Sequence, residues 1–140
     1  MVARADDRLL RTRTAGDAQV NGIPEIDVAE ARRRVSDGSD PGPLMVDVRE
    51  PGEFIQIRVE GAALFPLSTF LARIHELPRD RPIQIICQTG SRSGNATAYL
   101  LANGWTDVVN IAGGTVAWAR SGLPTRQGPL DPGEGLMPPA

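Results

Sequence analysis

Residues 83–93 read IQIICQTGSRS and indicate the class of fold. Its first five residues, 83–87, are almost wholly apolar, as the central strands of parallel sheets are. A short loop of small residues follows, and from Arg92 the chain is predicted to form its longest helix, which ends at Gly104. A buried strand joined by a tight loop to a helix indicates an α/β protein, with Cys87 at the end of the strand.

Outward from this stretch, predicted strands and helices alternate along the chain. The strands cover 44–48, 63–65 and 108–111, with a short edge strand over 23–26, and the helices cover 27–36, 50–55, 68–76 and 115–121. This alternation is typical of a mostly parallel sheet with helices on both faces. Ligands of such folds bind outside the carboxyl ends of the strands, so the topology alone predicts Cys87 at the ligand-binding edge.

The regular pattern is confined to the middle of the chain. Residues 1–21 show no sustained apolar periodicity and are predicted to be a mobile N-terminal arm. Residues 22–124 form the predicted domain. Residues 125–140 are rich in proline and glycine, and their composition favours a tail that hangs free of the domain.

Composition excludes several classes of function. One cysteine and one histidine cannot supply the ligands of a zinc site, and the absence of lysine excludes Schiff-base chemistry. A net charge of −2 argues against a nucleic-acid surface. The longest apolar stretch, residues 98–102, is far shorter than the roughly 20 residues of a membrane helix. We expect no membrane or nucleic-acid partner, and a reducing, cytoplasmic location in which Cys87 stays a thiol.

The loop after Cys87 has the composition of an anion-binding site. Gly90 can adopt a positive φ, which lets successive backbone N–H groups point inward as a nest. The helix that follows directs its positive end to the same place, and Arg92 adds a full charge. These features should acidify a thiol at Cys87. From the residues alone, an inert buried cysteine remains the alternative.

Several ordered motifs resemble those of a single rhodanese domain. They are Asp47-Val48-Arg49-Glu50 with Glu53-Phe54, Gly61-Ala62, the cysteine loop, Asn110-Ile111-Ala112-Gly113-Gly114, Trp118, and Gly122-Leu123-Pro124. The resemblance implies a three-layer α/β fold in which helices flank a central, mostly parallel five-stranded sheet. It also implies a sulfurtransferase in which Cys87 is the nucleophile and the amides of its loop hold the substrate. The loop residues are Gln88, Thr89, Gly90, Ser91 and Arg92.

The length of the loop separates the related activities. Four residues lie between Cys87 and Arg92, as in sulfurtransferases, whereas the related phosphatases and arsenate reductases have five. The resemblance thus implies transfer of a sulfane sulfur from a donor such as thiosulfate, through a Cys87 persulfide, to cyanide or to a small-molecule or protein thiol. It requires no cofactor and no metal. The alternatives are a non-catalytic interaction module with the rhodanese fold and, less favoured, a phosphatase or arsenate reductase.

Two features depart from the common rhodanese pattern. Residues 57–62 lack the usual glycine and histidine of this segment, and Gln88 stands where an arginine often follows the cysteine. We therefore expect Arg58, with a contribution from Arg49, to restore a positive charge at the rim of the site. Arg49 has an alternative role as the partner of a neighbouring glutamate.

Asp47 has two possible roles at the end of its strand. The favoured one is that of a structural carboxylate, because aspartates often cap the turn from a strand to a helix. The alternative is that it accepts hydrogen bonds from the cysteine loop or from Arg92.

Overall fold

The computed structural model describes residues 18–20 and 22–138 and shows a six-stranded sheet with helices on both faces. The strands are β1 (Ala18–Val20), β2 (Ile23–Ile26), β3 (Leu44–Asp47), β5 (Ala63–Leu64), β6 (Ile83–Ile86) and β7 (Val108–Ile111). Their order is β1-β2-β7-β6-β3-β5, and every neighbouring pair is parallel except β1 with β2. The five parallel strands confirm the predicted sheet.

Helices cover the two faces of this sheet. They are α1 (Val28–Val35), α2 (Pro51–Gln56), α3 (Phe70–Arg73), α4 (Ser91–Ala102) and α5 (Gly114–Arg120). On one face, Ile85 of β6 packs in a cluster with Phe70 of α3 and Leu100 of α4. On the other, Ile86 of β6 packs with Ala31 of α1 and Trp118 of α5. Neighbouring residues of β6 thus pack into the hydrophobic clusters on opposite faces of the sheet, and all four residues of the strand are buried.

Two sequence predictions about the elements are corrected. The strand 23–26 is not at the edge of the sheet, because β1 pairs with it on its outer side and so takes part of the predicted mobile arm into the sheet. The single helix predicted over 68–76 consists of α3 between two 3-10 turns, Leu67–Thr69 and Ile74–Glu76. The hydroxyl of Ser68, in the first of these turns, donates to the Glu50 carboxylate, 2.8 Å away. The predicted arm over 1–17 lies outside the described residues.

The segment after residue 124 is docked on the domain, so the prediction of a free tail is wrong for residues 125–138. The strand β8 (Thr125–Arg126) pairs with β4 (Arg58–Val59) in a separate antiparallel ribbon. Further on, the carbonyl of Gly135 accepts a 2.7 Å hydrogen bond from the amide of Leu64 on the edge strand β5. Prolines and glycines prevent regular structure here, but they leave the chain free to follow an irregular path over the surface. The domain limits at 22 and 124 stay a prediction.

Candidate active site

The parallel strands bring Cys87 and Asp47 to one edge of the sheet. Asp47 is the last residue of β3 and lies in register with Ile86, the last residue of β6, so that Cys87 begins the loop just beyond this edge. The side chain of Cys87 is buried, with only 1% of the residue exposed. Gln88 and Thr89, which follow it, are exposed. The sulfur atom therefore lies beneath its own loop.

The loop directs hydrogen-bond donors at the sulfur. Gly90 has a φ of 113°, and its backbone N–H donates to Sγ of Cys87 over 3.1 Å. The hydroxyl oxygen of Ser93, in the first turn of α4, lies 3.2 Å from the same sulfur. The short loop thus turns back on the cysteine that begins it, as a nest of amides does.

These contacts lower the pKa of the Cys87 thiol. Burial raises it, but hydrogen bonds from the Ser93 hydroxyl and from the backbone amides of Ser93, Gly90 and Thr89 outweigh burial, so the thiol has a pKa below its usual value. Since the thiolate is the reactive form of cysteine, this environment favours nucleophilic chemistry. A cysteine in an inert apolar core has its pKa shifted the other way.

The first turn of α5 binds the backbone of the cysteine loop. Thr115 donates to the Cys87 carbonyl twice, through its backbone N–H at 2.9 Å and through its hydroxyl at 3.0 Å. The amide of Val116 donates to the Gln88 carbonyl over 3.1 Å. These bonds require a close approach, since a Cβ on Gly114 would lie 2.5 Å from both carbonyl oxygens. The loop is therefore fixed by α5, and by Asn110 of β7 through its bond to the Gly90 carbonyl, as well as by its own strand and helix.

Arg92 is anchored by an ion pair with Glu53 of α2. Its guanidinium donates two 2.7 Å hydrogen bonds, one to each oxygen of the Glu53 carboxylate. The pair lowers the pKa of Glu53 to about 2, chiefly through the side-chain hydrogen bonds from Arg92. The hydrogen bonds to Glu53 chiefly keep Arg92 charged, and attraction to Glu53, Cys87 and Asp47 adds to this effect. The arginine that closes the loop thus contributes positive charge while its geometry is fixed from α2.

Asp47 and Arg49 form a buried pair at the end of β3. The Asp47 carboxylate accepts from the backbone N–H of Arg49 at 2.9 Å and from its guanidinium, with the shortest of these bonds also 2.9 Å. Arg49 is 3% exposed and also donates to the carbonyls of Glu53 and Ile57. Asp47 therefore accepts hydrogen bonds from the turn that follows its own strand, and its structural role stays a prediction. Arg49 pairs with Asp47 rather than with a glutamate side chain, and it lines the cleft beside Gln88.

Arg58 is directed away from the cysteine loop, so the expectation that it supplies charge at the rim is wrong. Its guanidinium is buried and forms a bidentate ion pair with Glu134 of the docked segment, at 2.6 and 2.9 Å. It also donates to the carbonyls of Phe54 and Gly128. The glycine and histidine of the common pattern are thus replaced by an arginine that fastens the C-terminal segment. Its partner lies 76 residues away, and no local pattern signals that contact.

Two residues of the site were not predicted individually. Ser93 and Asn110 are both buried, their side-chain oxygens lie 2.5 Å apart, and the Ser93 oxygen contacts the Cys87 sulfur. The amide nitrogen of Asn110 donates to the Glu25 carboxylate at 2.7 Å and to the Gly90 carbonyl at 3.1 Å. The available signal was the polar Asn110 within the otherwise apolar strand 108–111. A polar residue in a buried strand must find polar partners.

Two clefts open on either side of the loop. One, of about 560 Å³, is lined by Thr89, Gly90 and Ser91 together with Glu25 and Asn110. The other, of about 360 Å³, is lined by Gln88, Arg49, Glu53, Thr115 and Arg120. In the part of the chain that the structure describes, no three His, Cys, Asp or Glu side chains lie close enough to hold a metal ion. Within the same residues, no helix has the length and apolar character needed to cross a membrane.

The fold and the site together define the class of protein. It is a parallel α/β domain in which the central strand delivers an acidified cysteine into a loop lined with backbone amides. Comparison with known proteins agrees, since the model of the rhodanese-like domain matches residues 27–121. The chain belongs to the rhodanese-like domain family.

Individual relatives cover most of the domain. A sulfurtransferase of Allochromatium vinosum is 40% identical over 102 residues, which are 73% of this chain and 94% of that protein. A thiosulfate sulfurtransferase of Pseudomonas fluorescens is 33% identical over 79 residues, which are 56% of this chain and 72% of that protein.

Solved structures show the same fold. A rhodanese-like domain protein of Staphylococcus aureus superposes with a TM-score of 0.62 and 30% identity, covering 67% of this chain and 89% of that one. A rhodanese-related protein of Thermoplasma volcanium superposes with a TM-score of 0.65 and 27% identity, covering 73% of this chain and 96% of that one.

Proposed function

We propose that the protein is a sulfurtransferase that carries a sulfane sulfur as a persulfide on Cys87. The observation that carries the proposal is the position of the sulfur, which is buried beneath its loop and receives the Gly90 amide at 3.1 Å, with a lowered thiol pKa. Membership of the rhodanese-like family, and relatives named as sulfurtransferases, support sulfur transfer as the general activity. Thiosulfate is the proposed donor, because a relative with that named substrate is 33% identical.

The first half-reaction loads the cysteine. The Cys87 thiolate attacks the outer sulfur of thiosulfate and forms a new S–S bond, while the S–S bond of thiosulfate breaks and its electron pair leaves with sulfite. The product is a Cys87 persulfide with one negative charge on the outer sulfur. A thiolate that already exists at the working pH needs no general base, which agrees with the absence of histidine from the residues that line the two clefts.

The second half-reaction unloads it. A nucleophile such as cyanide or a thiolate attacks the outer sulfur, forms a bond to it and returns the electron pair of the persulfide S–S bond to Cys87 as thiolate. Cys87 is the only cysteine of the chain, so the attacking group must come from another molecule. The persulfide places the transferred sulfur about 2 Å from Sγ.

The rival functions fit the loop less well. A phosphate or arsenate needs a roomier loop, whereas here only four residues lie between Cys87 and Arg92 and the Gly90 N–H reaches the thiol sulfur at 3.1 Å. A pure interaction module has no need for a lowered thiol pKa. We further propose a reducing, cytoplasmic setting, where the thiol persists and a small-molecule or protein thiol is available as the acceptor.

Steady-state sulfur transfer from thiosulfate to cyanide tests the proposal. We expect thiocyanate formation by the unaltered protein and none by Cys87→Ser, because serine cannot form the persulfide. Ser121→Ala, on the exposed end of α5, is the control and should retain full activity. Thiocyanate formation by Cys87→Ser would contradict the proposed reaction, and so would a lack of thiocyanate formation by the unaltered protein with thiosulfate. Turnover of a phosphate ester would instead favour the phosphatase.

A further inference from the structure

Side chains from three elements form a continuous hydrogen-bonded chain that ends at the Cys87 sulfur. Glu25 of β2 lies in register with Asn110 of β7 and accepts from its amide nitrogen at 2.7 Å. The Asn110 amide oxygen lies 2.5 Å from the Ser93 hydroxyl, which lies 3.2 Å from Sγ. Ser93 and Asn110 are buried, while Glu25 lines the larger cleft. The chain therefore connects the reactive sulfur to a carboxylate at the edge of that cleft.

The orientation of the Asn110 amide is fixed by its neighbours. Both the Glu25 carboxylate and the Gly90 carbonyl, 3.1 Å from the amide nitrogen, are acceptors. Rotating the amide by half a turn would place its oxygen against both of them. The nitrogen therefore faces Glu25 and Gly90, and the oxygen must face Ser93.

The Ser93 hydroxyl has one hydrogen and two acceptors within reach. When Cys87 is a thiol, the hydroxyl hydrogen bonds to Asn110 while the S–H donates to Ser93 Oγ, and all groups are satisfied. When Cys87 is a thiolate, the hydrogen can stabilise the sulfur only by leaving the Asn110 oxygen, which is buried. The sulfur keeps the Gly90 N–H, but the buried Asn110 oxygen loses the Ser93 hydrogen, and a buried acceptor that loses its donor is costly.

We propose that Asn110 is a positioning residue that competes with the Cys87 sulfur for the hydrogen of the Ser93 hydroxyl, and that Glu25 strengthens the competition. The Glu25 charge polarises the Asn110 amide and makes its oxygen a better acceptor. The bare thiolate is thereby kept less stable, and more nucleophilic, than the loop amides alone would make it.

This arrangement also favours the loaded state, a consequence that rests on the proposed sulfur transfer. In the persulfide, the negative charge lies on the outer sulfur, about 2 Å from Sγ. Sγ is then uncharged, so the Ser93 hydrogen returns to Asn110 without penalty. Asn110 thus raises the free energy of the bare thiolate but not that of the persulfide.

The other charged side chains near the sulfur are paired with one another. Arg92 of α4 attracts the thiolate and is paired with Glu53 of α2, and Asp47 and Arg49 neutralise each other at the end of β3. The hydrogen bonds of these four side chains go to partners other than Ser93 and Asn110, so substitutions of Glu25, Ser93 or Asn110 leave these pairs intact.

The thiol pKa in a double-mutant cycle tests the proposal. It is measured from the pH dependence of thiolate absorbance and of alkylation rate in the full-length protein. We expect Asn110→Ala to lower the pKa of Cys87 by about one unit, the order of one hydrogen bond to a charged group. In a Ser93→Ala background the same change should have no effect, because no shared hydrogen remains. Asn103→Ala, at the exposed end of α4, is the control and should leave the pKa unchanged.

Glu25→Gln provides a second variant on a partly exposed position that should fold. We expect a smaller decrease of the thiol pKa, which Ser93→Ala abolishes, whereas a direct effect of the Glu25 charge on the sulfur would persist. A pKa unchanged by both Asn110→Ala and Glu25→Gln, or lowered equally with and without Ser93, would overturn the proposal.

Sulfur loading supplies a separate readout. In Asn110→Ala the bare thiolate is more stable by one pKa unit. Above the thiol pKa, the equilibrium constant for loading from thiosulfate should therefore be about tenfold lower than in the unaltered protein. Unchanged loading there would contradict the consequence for the persulfide. The pKa cycle needs no sulfur donor, so a failure of the unaltered protein to load would refute the proposed function without affecting the result of the cycle.

Discussion

Gly114 and Gly122 flank the same helix and allow a sharp test of how α5 supports the cysteine loop. Both have positive φ, 59° and 73°, so an alanine at either position pays about 1 kcal/mol for a left-handed backbone. Their surroundings differ. A Cβ at Gly122 meets nothing within 4 Å, whereas at Gly114 it would lie 2.5 Å from the carbonyl oxygens of Cys87 and Gln88. Gly122→Ala is thus the matched control for Gly114→Ala.

The overlap at Gly114 is with backbone, which cannot rotate away as a side chain can. Overpacking of this kind adds about 1–3 kcal/mol. We therefore expect Gly114→Ala to lower the free energy of unfolding by about 2–4 kcal/mol and Gly122→Ala by about 1 kcal/mol. Relief of the overlap must push the Cys87 carbonyl away from the Thr115 donors that hold it at 2.9 and 3.0 Å.

Displacement of that carbonyl moves the sulfur relative to the Gly90 amide. We expect Gly114→Ala to raise the thiol pKa and to lower kcat/KM for thiosulfate at least about tenfold, since small misplacements of a nucleophile are costly. Gly122→Ala should leave both unchanged. Denaturant unfolding, thiol titration and sulfur transfer are measured on the same preparations. If the two variants behave alike in all three, the close packing of α5 under the loop has no role in the site.

Two further substitutions test the ion pairs around the site. The Glu53 pKa is lowered to about 2, so this carboxylate stabilises the fold fully above its unfolded pKa of about 4.5. That contribution is lost as the pH falls towards 2. Between these pH values, the free energy of unfolding should therefore decline less steeply in Glu53→Gln than in the unaltered protein. An equally steep decline would mean that the Arg92 pair contributes no pH-dependent stability. Arg58→Met should lower the free energy of unfolding by about 2–4 kcal/mol, because the buried guanidinium bonds to Glu134 and to backbone carbonyls, and it should expose residues 128–138 to protease. Arg126→Ala is the control, because its pair with Asp131 is exposed, and it should change the free energy of unfolding and the protease resistance little. Equal protease resistance in both variants would show that Arg58 does not hold the segment.

The sequence predicted those parts of the molecule whose causes are local. The apolar runs of β3, β6 and β7 are strands because each is buried along its whole length. The order of strand, loop and helix then places Cys87 at the carboxyl edge of the sheet, whatever the remaining details. Gly90 indicated the tight loop, because few other residues adopt a φ of 113°.

The parts that escaped prediction depend on contacts distant in sequence. The docked C-terminal segment is held by Arg58 and Glu134, which are 76 residues apart. Asn110 reaches Ser93 across 17 residues and Glu25 across 85. Arg58 and Glu134 carry no local signature, and the polar Asn110 in an apolar strand indicates that it needs polar partners without showing which ones. The direction of the Arg58 side chain is likewise decided by the carboxylate it meets, not by its neighbours in the chain.

In the proposed reaction, Cys87 itself carries the transferred sulfur. Intact-protein mass spectrometry after incubation with thiosulfate tests it most directly, followed by removal of the donor and addition of cyanide. We expect a gain of one sulfur atom per chain, its loss as thiocyanate with cyanide, and no gain in Cys87→Ser. An unaltered protein that gains no sulfur under these conditions, or a Cys87→Ser variant that gains it, would contradict the account.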